Sequence, residues 1–203
     1  MQVAVCISGE FRNNRELCLN SVKKYLPYDT FTHTWDETPM PVLPSHQICL
    51  GAFDAWINTL EATNPTRIWF SKKLRKTDYR RRLYSIYNHW HCMQKVPQHY
   101  DMIVKVRPDV VLQDHTWQKD LENAYNNDQV YGYGSGQGTR VGAVDRFAAD
   151  HIIMHRRSRM RNPYKQELVS SGHVAFWICL RSSDNEVFVN TDTVCTLERD
   201  LNV

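Results

Sequence analysis

Apolar residues follow two rhythms along this chain. Residues 3–7 (VAVCI) form an unbroken apolar run closed by Ser8 and Gly9, as expected of a strand buried on both faces of a parallel sheet. From about residue 14 the rhythm changes: Leu17, Leu19, Val22, Tyr25 and Leu26 recur at helical spacing until Pro27 stops the helix. Residues 29–35 (DTFTHTW), rich in threonine and aromatics, read as a second strand. A loop with three prolines follows over 36–45. Residues 52–61 then read as a helix and 66–70 as a strand. The span 78–95 predicts a long helix with Leu83, Ile86, Tyr87, Trp90 and Met93 on one side. Residues 101–106 (DMIVKV) are a further buried strand, which resumes at 110–112 after a break at Arg107-Pro108-Asp109. A helix over 116–125 and a strand over 129–133 come next. Helices over 143–157 and 163–170 and strands over 174–180 and 186–189 complete the pattern.

Strands thus alternate with helices through the first two thirds, which predicts an α/β fold with a mainly parallel central sheet flanked by helices. In such sheets ligands collect at the carboxyl ends of strands. Two of these ends carry polar chemistry. After the first strand stand Ser8, Gly9, Glu10, Phe11 and Arg12. Glycine there lets backbone approach a ligand, and the following helix N-terminus favours an anion. The same residues also suit a plain tight turn, and they form neither GxGxxG nor a P-loop. At the second end, a buried strand delivers Asp109 into a break beside Arg107. That arrangement suits either an oxygen ligand for Mn²⁺ or Mg²⁺ or an ion pair at a strand end. Five of the eight glycines fall between Gly132 and Gly142, in a stretch that can move or pass close to a ligand.

Composition narrows the class. A chain of 203 residues, 42% hydrophobic and 23% charged, suits one domain over residues 1–203. No stretch approaches the roughly 20 apolar residues that span a bilayer, and the N-terminus reads as a strand rather than a signal peptide. None of the six cysteines forms a CxxC pair, so thiols in a reducing cytosol, and a cytoplasmic location, are expected. A net charge of +3 hides two basic runs, 72–82 (KKLRKTDYRRR) and 156–161 (RRSRMR). They read as solvated helix faces or as attraction to an anionic partner. Of nine histidines, only His173, ahead of a late strand, suggests a metal ligand.

Five stretches occur together in order: VAVCISGEFR at 3–12, FTHTWD at 31–36, LYSIYN at 83–88, YDMIVKVRPD at 100–109 and VDRFA at 144–148. Their combination resembles a family of GT-A-like glycosyltransferases of large algal viruses, phages and bacterial surface-polysaccharide loci. The resemblance implies a single Rossmann-like GT-A domain and a nucleotide-sugar donor, UDP- or GDP-linked, with a glycan or glycoprotein as acceptor. For a virus the location would be the host cytoplasm. It further implies that Ser8, Gly9, Glu10 and Arg12 meet the nucleotide, that Asp109 is the metal-binding acid, and that Arg146 lies near the sugar. The family's Asp-x-Asp motif is broken here, because Arg107 replaces its first acid. Arg107 can itself neutralise a diphosphate through a bidentate contact. Asp145, after the glycine-rich stretch, is the candidate general base, with Glu167 as the alternative. Trp35, Tyr131 and Tyr133 are candidates to stack on a base or sugar ring. Two other functions compete: a non-catalytic nucleotide- or glycan-binding module, and nucleic-acid binding through 72–82. No nucleic-acid fold motif supports the latter, and no nucleic-acid partner is expected.

Overall fold

The computed structural model describes residues 1–9, 15–34, 79–134, 151–165, 179–180, 186–190 and 195–197. The predicted elements at 52–61 and 66–70 lie outside them. Strand β1 (Val3–Gly9) is buried along its whole length. Helix α1 (Arg15–Tyr25) returns the chain to β2 (Asp29–Thr34). Helix α2 (Tyr79–Lys95) leads to β3 (Met102–Val106) and the short β4 (Val110–Leu112). Helix α3 (Trp117–Asn126), β5 (Val130–Gly134), β6 (Ile152–Arg156), β7 (Glu186–Asn190) and β8 (Cys195–Leu197) follow.

Six of these strands form one sheet in the order β2-β1-β3-β6-β5-β7, while β4 pairs with β8. The pairs β1–β2, β1–β3 and β5–β7 are parallel; β6 runs antiparallel to both its neighbours, β3 and β5. The sheet is therefore mainly parallel, with one reversed strand. Along β1, Val3, Val5 and Ile7 join the core made with Val22 and Leu26 and with Trp117, Leu121 and Ala124 of α3. Ala4 and Cys6 join the opposite core, with Ile86, Tyr87, Cys92 and Met93 of α2. Helices on both faces explain why β1 and β3 read as continuous apolar runs rather than as alternating ones.

Three expectations are corrected. Residues 152–156 are a strand, not part of a helix over 143–157; a short apolar run such as Ile152-Ile153-Met154 carries no periodicity that separates the two. Residues 163–165 form a 3-10 turn, and 179–180 are helical rather than the end of a strand. Strand β8 has three residues and is defined only by its pairing with β4, so no pattern marked it.

The basic run at 156–161 is not a solvated helix face. Arg157 donates to the carbonyls of Met93 (3.2 Å), Val96 (2.9 Å) and Pro97 (2.7 Å), at and just beyond the end of α2. Arg156 lies over the Tyr125 ring and donates to the Tyr125 carbonyl, and Arg159 forks onto Asp128. Three arginines thus tie the end of β6 to α2 and α3. Cys6, Cys18, Cys92 and Cys179 are buried thiols outside any disulfide.

Candidate active site

Among the described strands, the chain moves from β1 to β2 on one side and then to β3 on the other. The order therefore reverses at β1, and in open α/β sheets ligands bind beyond the carboxyl ends of the strands at such a reversal. Register brings the two sequence motifs together there. Ile7 pairs with Val106, so Ser8-Gly9 at the end of β1 and Arg107-Pro108-Asp109 just past β3 come side by side, on strands about 4.8 Å apart.

Gly9 has φ 137°, a region open essentially to glycine alone. Ser8 is 2% exposed, and its Oγ makes no hydrogen bond among the described residues. By the alternation of β1, Ser8 stands on the α2 side, with Ala4 and Cys6.

At the second strand end the Val110 N–H donates to the Arg107 carbonyl (3.2 Å), closing a four-residue turn with Pro108 in its second position. The Arg107 N–H donates to the His151 carbonyl (2.9 Å), which fixes the turn to the start of β6. Within the turn, Arg107 Nε donates to Asp109 Oδ1 (2.9 Å) and Arg107 Nη2 to Oδ2 (2.7 Å). The fork engages both carboxylate oxygens. The Asp109 side chain is 7% exposed and that of Arg107 27%.

The structure adds residues that the sequence reading passed over. His33 pairs in register with Ser8 at the end of β2, is buried, and stacks on His91 of α2 with ring centroids 5.6 Å apart. Partial burial, then Lys95, lowers the His91 pKa. His151 is buried at the same edge of the sheet. Deeper in, His89 of α2 and His155 of β6 meet Nε2 to Nε2 at 3.0 Å, both fully buried. His155 Nδ1 lies 2.9 Å from the Arg156 carbonyl, an acceptor, so Nδ1 carries the proton and Nε2 is bare. His89 Nε2 is then the donor across the pair. Burial above all lowers both pKa values, that of His155 to about 4; His155 and Lys105 depress His89 further. A period-2 reading of 151–155 would have placed His151 and His155 on one face with Ile153. Reading the segment as a helix hid that.

Tyr131 and Tyr133 are corrected as stacking candidates. Both are buried in the core, and the Tyr133 hydroxyl donates to Asp120 Oδ2 (2.7 Å). Burial, then that carboxylate, drives the Tyr133 pKa far up. Asp120 Oδ2 also lies 2.7 Å from His115 Nε2. Glu10, Arg12, Trp35, Asp145, Arg146, Glu167 and His173 lie outside the described residues.

The fold and site define an α/β domain with polar residues gathered at the switch point of a mainly parallel sheet. No protein-family model matches the chain, and no curated protein sequence does. Among solved structures it is similar to A197 from STIV, with TM-score 0.43 and 10% identity over 94% of this chain and 83% of that one. It is also similar to S. aureus TarS 1-349, with TM-score 0.48 and 9% identity over 96% of this chain and 60% of that one. A third is a glycosyltransferase involved in the glycosylation of the major capsid of PBCV-1, with TM-score 0.38 and 10% identity over 94% of this chain and 83% of that one. This chain thus spans 60% of the TarS chain.

Proposed function

We propose that the protein is a nucleotide-sugar-dependent glycosyltransferase, taking a UDP- or GDP-linked donor and a glycan or glycoprotein acceptor. The observation that carries this reading is the meeting of Ser8-Gly9 with Arg107-Asp109 at the sheet's switch point. Glycine backbone open to a close approach, a buried serine hydroxyl and a held guanidinium form an edge suited to a phosphorylated nucleotide. Glu10, Arg12 and Trp35 follow these strand ends in sequence and extend the nucleotide site. Arg146 serves the sugar.

In an inverting transfer the acceptor oxygen bonds to the anomeric carbon as the bond from that carbon to the diphosphate oxygen breaks. The acceptor proton passes to a carboxylate, for which Asp145 is the first candidate and Glu167 the second. The nucleoside diphosphate departs with the bonding electrons, and Arg107 offsets its charge.

The resemblance also implies Mn²⁺ or Mg²⁺ on Asp109. Both oxygens of that carboxylate already accept from the Arg107 fork, so an ion bound there would lie against a guanidinium. Among the described residues no group of three or more His, Cys, Asp or Glu could hold a metal ion. No step is therefore assigned to one.

Thermal melting against a panel of UDP- and GDP-sugars tests the reading, since a ligand bound to the native state raises Tm. Slow release of nucleoside diphosphate from the stabilising donor should follow. Asp145→Asn should cut that turnover about 100-fold or more with donor binding nearly intact. A donor that raises Tm but is never cleaved would favour a non-catalytic binding module, which the replacement of the motif's first acid by Arg107 also suits. No helix among the described residues is long and apolar enough to cross a membrane.

A further inference from the structure

We propose that the cation serving the diphosphate in this site is Arg107 itself, positioned by Asp109, and that nucleotide binding needs no divalent metal. The inference rests on the glycosyltransferase reading and concerns the same strand end. It starts from the orientation of the pair. A carboxylate that holds a metal on a diphosphate must face the ligand. Here the order is reversed: the Asp109 side chain is 7% exposed and the Arg107 side chain 27%. The acid is the buried member and the cation the outer one.

The contact is also of the strong kind. Two N–H groups meet two carboxylate oxygens at 2.9 and 2.7 Å, in the planar geometry that a guanidinium and a carboxylate share. A divalent ion placed on Asp109 would sit beside the guanidinium that its oxygens already hold, and repulsion between the two cations opposes that arrangement. The same planar group recognises phosphate oxygens as well as it does carboxylates.

The backbone beneath Arg107 is held before any ligand arrives. Its carbonyl closes the turn over Pro108, whose ring fixes φ, and its N–H is bound to the His151 carbonyl of the neighbouring strand segment. Asp109 then restricts the side chain. Little ordering remains for an anion to impose, which is how a single guanidinium gains affinity for one. The neighbouring strand end supports a ligand here independently. Ser8 Oγ is buried without a hydrogen bond among the described residues, and Gly9 presents backbone with no Cβ in the way. Asp109 acts through Arg107, so it is a positioning residue.

The experiment is calorimetric titration of the full chain with UDP and GDP, and with uridine and guanosine, in EDTA and again in Mn²⁺. The wild type should bind its preferred diphosphate equally in both buffers, within about twofold, and more tightly than the matching nucleoside. Arg107→Ala should weaken diphosphate binding about tenfold or more in both buffers and leave the nucleoside unchanged, since charged hydrogen bonds to phosphate are of that size. Asp109→Asn should narrow the same preference by a smaller factor, again equally in both buffers. A role confined to stability would move nucleoside and diphosphate together. Thermal melts check that both variants are folded, and Arg107→Lys, which keeps the charge without the fork, should recover part of the loss. Wild-type diphosphate binding strengthened about tenfold or more by Mn²⁺, with Asp109→Asn erasing the gain, would overturn this inference and leave the transferase reading standing. A diphosphate preference indifferent to Arg107→Ala would do the same. No nucleotide binding in either buffer would overturn both.

Discussion

Gly9 shows most directly how one residue sets the site. Its φ of 137° comes at the end of β1, where it still pairs with Thr34 of β2. A Cβ at that φ meets the backbone, so the conformation costs a side-chain-bearing residue about 1–3 kcal/mol. Gly9→Ala should therefore lose about that much stability in urea unfolding. On the proposed nucleotide site it should also weaken nucleotide binding, because the new methyl would stand where the ligand approaches. A variant with wild-type stability and wild-type affinity would mean that the turn relaxes at no cost and that the ligand binds elsewhere. That a glycine turn closes the first strand was legible from Ser8 and Gly9 alone. Whether Arg107 and Asp109 face each other or a ligand was not, because that depends on the rotamers and on the His151 carbonyl that holds the turn.

Elements are joined here by a few polar contacts at their ends. Helix α2 stops at Lys95, and Arg157, just past the end of β6, gathers the carbonyls of Met93, Val96 and Pro97. Arg157→Ala should lower unfolding stability by about 2 kcal/mol, as expected for losing hydrogen bonds to a charged donor. A change under about 0.5 kcal/mol, the usual size at an unimportant surface position, would show that water replaces the contact. Helix α3 ends by a different device. The Gln129 N–H bonds to the Ala124 carbonyl and that of Asp128 to the Tyr125 carbonyl, with Asp128 at φ 50°. This is the 6→1 and 5→2 pattern of a Schellman end, with aspartate where glycine is usual. Arg159 holds the Asp128 carboxylate, which accounts for an acid at that position. Asp128→Gly should keep the turn and lose the ion pair, whereas Asp128→Ala should lose both and melt at the lower temperature of the two.

At the scale of the whole molecule, α2 and the sheet share a buried polar seam as well as an apolar one. His89 and His155 meet across it without charge, and burial holds both pKa values below the ordinary histidine range. As pH falls below about 6.5 the unfolded chain takes up these two protons, while the native state resists until near the folded values, about 4 for His155. The unfolded state binds more protons throughout that window, so stability falls with falling pH, by about 1.4 kcal/mol per pH unit for each histidine. Urea unfolding at intervals from pH 7.5 to 4.5 should show the decline. His89→Leu combined with His155→Leu should flatten it. An unchanged slope in the double variant would place the acid sensitivity in other groups.

What the sequence determined by itself was local. The runs at 3–7 and 101–106, the helical spacing of 14–26 and 78–95, and glycine and proline at the strand ends each act over a few residues. The structure reproduces them, as β1, β3, α1 and α2. From these the α/β class followed, and with it the expectation of a site at the strand ends. The tertiary structure decided what depends on distant partners. It made 152–156 a strand running against its neighbours, because an apolar run of that length takes its conformation from the surface it is pressed against. It buried Tyr131 and Tyr133, and turned three arginines of a basic run into ties between elements. It also set Asp109 inward and Arg107 outward. Hydrophobic period is written within one element, but the partner of a buried polar group comes from another, and only the packed fold brings the two together.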